Sequence, residues 1–115
     1  MLTMNNAARA YAASAATRSH REQEADLFRR ISTVLRRGRD QGGSVKIKAL
    51  ADNQRLWSMV IDLLRDEDNA LPPALRANMI SVGLCLQREM QKPDPDFDFL
   101  VTVNDNVAAG LAGNP

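Results

Sequence analysis

Between residues 21 and 37, Leu27, Phe28, Ile31, Val34 and Leu35 recur every three or four positions, the spacing of one stripe along a helix. Glu22, Glu24 and Asp26 sit in its first turns and Arg36 and Arg37 in its last, as the helix dipole favours. Gly38, Gly42 and Gly43, with Arg39, Asp40, Gln41 and Ser44 around them, read as a polar connector that ends the helix. The stretch 45–65 is the most apolar. Leu50, Trp57, Val60, Ile61 and Leu64 line one side, while Leu56, Met59 and Leu63 fill the flank. A sector this wide predicts a central helix touched by several others.

Residues 66–70 are acidic and turn-forming, and Leu71-Pro72-Pro73 follows. Proline suits a first helical turn, where its missing N–H has no partner to lose, so a helix is expected from Pro72 or Pro73 to about residue 92. Its inward stripe is Leu75, Met79, Ile80, Val82, Leu86 and Met90. Gly83 lies among them and implies close approach of another helix, since glycine inside a helix costs about 1 kcal/mol relative to alanine. Pro93 and Pro95 end the element. Asp94, Asp96 and Asp98 then give a negative start to a last helix over 97–109, with Phe99, Leu100, Val103, Val107 and Leu111 inward. Residues 5–18, with seven alanines and Tyr11 as the one large anchor, predict a thin first helix that frays.

The pattern therefore predicts an all-α single domain, residues 1–115, of four to five helices in bundle-like or orthogonal packing. A length of 115 residues fits one core, and 44% hydrophobic with 25% charged residues is an ordinary folded composition. The single cysteine and single histidine exclude an internal disulfide framework and a Cys/His zinc cage. His20 has no nucleophile or orienting partner at a catalytic spacing and reads as a surface residue. Cys85, flanked by Leu84 and Leu86, reads as a small buried hydrophobe. The carboxylates at 66–68 and 94–98 lack the ligand series of a calcium loop and read as caps and solvated turns. Gly42-Gly43-Ser44 lacks the spacing of a phosphate loop. No metal, cofactor or enzymatic activity is expected.

Charge is unevenly spread. Residues 1–55 carry eleven Lys/Arg against five Asp/Glu, and residues 56–115 carry four against nine. Arg29, Arg30, Arg36, Arg37, Arg39, Lys46 and Lys48 could form a basic ridge for nucleic acid, or complement the acidic half within the fold. The second reading leads, because no aromatic residues interleave the basic ones as a stacking platform requires. No run reaches the length of a membrane span. The acid-free segment 1–21 has the composition of a transit peptide and equally of a first helix, and it is a poor secretory signal.

The middle of the chain carries a more specific signal. Asn53, Leu56-Trp57, then Asn69, Leu71-Pro72, Leu75-Arg76, and Ile80-Ser81 with Gly83 resemble the FlaF family of bacterial flagellar biosynthesis regulators, over most of residues 50–92. The Tyr11-bearing start, the helix from Glu22 to Leu35 and the closing helix are also similar to that family. Where relatives often carry an aromatic after the glycine, this chain has Leu84-Cys85-Leu86.

The resemblance implies a small cytoplasmic helical protein acting in flagellin synthesis and export, as a secretion chaperone that binds flagellin and works in opposition to FlbT. It removes the transit-peptide reading. A runner-up is a post-transcriptional regulator that contacts flagellin message through the basic ridge. For a chaperone, Trp57, if partly exposed, is the candidate anchor for an amphipathic flagellin helix, with Leu56, Val60, Ile80 and Leu84 as groove walls. The alternative is that Trp57 fills the core. Asn53 is expected to hydrogen-bond across helices, and Arg76 to pair with an acidic group of the 66–68 turn.

Overall fold

A computed structural model describes residues 5–113, apart from the side chains of residues 17–19. Residues 1–4, 114 and 115, and the side chain of Arg18, thus lie outside the described residues. The described residues form four helices and no strand: α1 (Asn6–Gln41), α2 (Gly43–Arg65), α3 (Pro73–Met90) and α4 (Phe97–Leu111). The all-α expectation holds.

α1 is one helix of 36 residues where the pattern predicted two. The stripe changes character near residue 20, but no glycine or proline lies between Asn5 and Gly38 to break the hydrogen-bond ladder. His20 and Glu24 pair across that junction at 2.8 Å. Asn5 starts the helix by accepting the Ala8 N–H at 2.7 Å. Gly38 does not end it. A Cβ at Gly38 would lie 3.0 Å from Ala49 Cβ and from Lys46 Cα, so this glycine lets α1 and α2 cross closely. The reversal is made at Gly42 and Gly43, whose φ values of 68° and 57° suit glycine.

α1 and α2 run antiparallel, since Gly38 meets Lys46 and Ala49 while Phe28 meets Trp57. α4 also lies antiparallel to α1, held by Arg39 to Asp98 at 2.7 Å and by an Arg36–Asp105 ion pair, and it meets α2 where Asn104 faces Trp57. α3 folds back on α2 and makes its main contacts there. The length of α1 draws the molecule out to 62 × 28 × 25 Å.

The last two helices start where the sequence places them. Pro73 opens α3, and Asp96 caps α4 by accepting the Phe99 N–H at 3.0 Å. Phe28, Leu35, Leu56, Trp57, Leu86, Met90, Phe97 and Leu100 meet in one buried cluster. Full burial of such side chains contributes about 1.5–3 kcal/mol each.

Candidate functional site

At the centre of that cluster a polar chain crosses three helices. The Trp57 indole N–H donates to Asn104 Oδ1 at 2.9 Å, Asn104 Nδ2 donates to Asn53 Oδ1 at 2.7 Å, and Asn53 Nδ2 points at Met90 Sδ at 3.3 Å. All three polar residues are wholly buried. The cross-helix bond expected of Asn53 is present, and its partner is Asn104. Phe28 meets the Trp57 ring edge-on at 5.8 Å.

Trp57 therefore fills the core, and its exposure is 0%. The condition attached to its reading as an anchor is not met, and Leu56 is buried beside it. Val60, Ile80 and Leu84 are half-buried. Gly83 explains how α3 seats on the indole: a Cβ there would stand 2.9 Å from Ile61 Cγ1 and 3.0 Å from Trp57 Cε3. Close approach at Gly83 is thus borne out.

The exposed apolar surface lies elsewhere on the same helices. On α3, Leu86 and Met90 are buried, yet Leu75 is 45% and Val82 40% exposed and Met79 is half-buried, although all belong to the predicted inward stripe. α4 shares the core with the C-terminal half of α3, and the N-terminal half has α2 as its main partner. Leu63 and Met59 on α2 and Leu71 in the turn are also exposed. The sequence pattern does reveal a stripe at 75, 79 and 82; it does not reveal that the covering helix stops short. Cys85 is exposed, contrary to expectation, because it lies about 160° around α3 from the face that Gly83 presents to α2.

The turn between α2 and α3 is tied by the motif residues. Asn69 Nδ2 donates to Leu63 O at 2.9 Å, and Asn69 Oδ1 accepts the Leu71 N–H at 3.0 Å. Arg76 does not pair with a carboxylate of the turn as expected. Its guanidinium donates to Leu64 O at 2.8 Å, at the end of α2, and to Asp66 O at 2.9 Å, which also accepts the Asn69 N–H. Pro72 precedes α3, and Ser81 is exposed on it.

The basic ridge is largely matched from within the chain. Arg29 pairs with Asp26, Arg36 with Asp105, and Arg39 with Asp40 and Asp98. Lys46 lies 3.6 Å from Asp94 and 5.4 Å from the centre of the Phe97 ring, and Lys48 pairs with Asp52. Arg30 and Arg37 make no ion pair among the described residues. These contacts shift titration as well: Lys48, with Arg55 also donating, holds the Asp52 carboxyl below its usual range. Arg39 lowers Asp40, and its own guanidinium is held still more firmly charged by Asp40 and Asp98. The Asp96 N–H, and then Lys92, lowers Glu89.

Among the described residues, no group of three or more His, Cys, Asp or Glu could hold a metal, and no helix is long and apolar enough to cross a membrane. The fold and its surface define a single-domain all-α protein, with a buried Trp–Asn–Asn chain and an apolar strip left open on a helical hairpin. The chain belongs to the FlaF family: the family model for flagellar protein FlaF matches residues 7–111. No curated protein and no solved structure matches it.

Proposed function

We propose that this chain is a cytoplasmic, non-enzymatic binder of flagellin that acts in flagellin synthesis and export as a secretion chaperone. Membership of a flagellar family supports the setting. The observation that carries the reading is the open strip Leu75, Met79 and Val82 on α3, whose i, i+4, i+7 spacing is that of a face onto which an amphipathic helix packs. Unassembled flagellin has amphipathic terminal helices that need such cover before export. In this reading the chain works in opposition to FlbT.

The charge pairing speaks against the reading through flagellin message. A nucleic-acid ridge needs cations free for phosphates, and here five of its seven basic residues already face carboxylates. Co-purification of the chain with flagellin, and with flagellin message, tests the choice. Binding to flagellin that Leu75→Glu abolishes supports the chaperone; binding to message with a steep salt dependence overturns it.

A further inference from the structure

We propose that two copies of this chain associate through the first four turns of α1, with Arg9 of each copy set against the acidic α2–α3 turn of the other. This goes beyond flagellin binding and does not depend on it.

The N-terminal part of α1 is left uncovered by the other helices. Because α1 and α2 are antiparallel, with Gly38 at Lys46 and Phe28 at Trp57, Arg65 at the end of α2 falls level with about residue 20 of α1. Residues 6–20 therefore extend past the body as an arm about 22 Å long at 1.5 Å per residue. Nearly every described side chain on it is exposed. An isolated helix of this length is marginal in water, so a partner helix would stabilise it. Ala12, Ala13 and Ala16 keep one side of the arm narrow enough for close approach of another backbone.

Charge identifies the occupant. Residues 1–21 contain no acid, and Arg9 makes no ion pair among the described residues. At the other end of the same exposed region, Glu67 and Asp68 also make none among the described residues. Arg9 stands 29 residues, about eight turns, before Gly38, and so lies on the face of α1 that meets α2. Two arms laid antiparallel about a two-fold axis bring that face of each beside that face of the other. With residue 6 opposite residue 20, Arg9 comes level with residue 17 of the second copy, about one turn from its acidic turn. The surface is self-complementary, as a two-fold contact must be, and small, so the dimer is weak and salt-sensitive.

Sedimentation velocity of the purified full chain at low salt, without flagellin, tests this. Wild type is expected to dimerise with rising concentration and to dissociate as salt is added. Arg9→Glu alone, and Glu67→Lys with Asp68→Lys, should each weaken the dimer about tenfold, because symmetry makes every substitution act twice. Combining all three should restore it to near wild type. A monomer at all concentrations, a dimer that ignores the single-sided changes, or a combination no better than either alone would overturn the proposal.

Discussion

The indole N–H of Trp57 is hydrogen-bonded to Asn104, 47 residues further along the chain, inside a core that excludes water from both. Asn104 also donates to Asn53, so one side chain satisfies two others. Asn104→Ala leaves the Trp57 N–H and the Asn53 carbonyl buried without partners. An unsatisfied buried group costs about 1–3 kcal/mol, and the two together are expected to cost about 3 kcal/mol, a large part of a small domain's stability. Urea unfolding followed by circular dichroism measures it. A loss below about 0.5 kcal/mol would show that the chain contributes little.

Gly83→Ala sets two effects of opposite sign against each other. Alanine improves helix propensity by about 1 kcal/mol, but its Cβ meets Ile61 and the Trp57 ring at about 3 Å. The ring is pinned by Phe28 and Asn104 and cannot give way, so overpacking, at about 1–3 kcal/mol, wins. The variant should unfold at lower urea than wild type, and Gly83→Val at lower still. Higher stability of Gly83→Ala would mean that α3 shifts freely on α2.

Ser32 makes the opposite case. Its hydroxyl is wholly buried in α1 and has no hydrogen-bond partner among the described residues. Ser32→Ala removes an unsatisfied polar atom and adds helix propensity, so it should stabilise by about 0.5–1.5 kcal/mol in the same unfolding measurement. A loss of stability would reveal a partner for the hydroxyl.

These core relationships mark where the sequence is legible and where it is not. The last three helices, the proline start of α3, the aspartate start of α4 and the close approach at Gly83 all rest on local spacing. Local spacing misled at Gly38, since a helix-ending glycine and one that admits a neighbouring helix look alike until the neighbour is placed. The split of α1 failed similarly: a change of stripe composition is not a breaker. Asn104 carries no local sign of its role, because its partners lie on another helix some fifty residues away. Leu75 and Val82 read as core since an apolar stripe records that a face wants cover, not whether the chain supplies it.

Binding of purified flagellin by calorimetry, comparing wild type with the Leu75→Glu, Val82→Glu double variant, shows whether the α3 strip is the flagellin-binding surface. Both side chains are exposed, so the variant should keep its circular dichroism spectrum and unfolding midpoint while affinity falls at least about tenfold, the scale of lost interface anchors. A wild-type chain that does not bind flagellin, or a folded variant that binds it undiminished, would contradict the account.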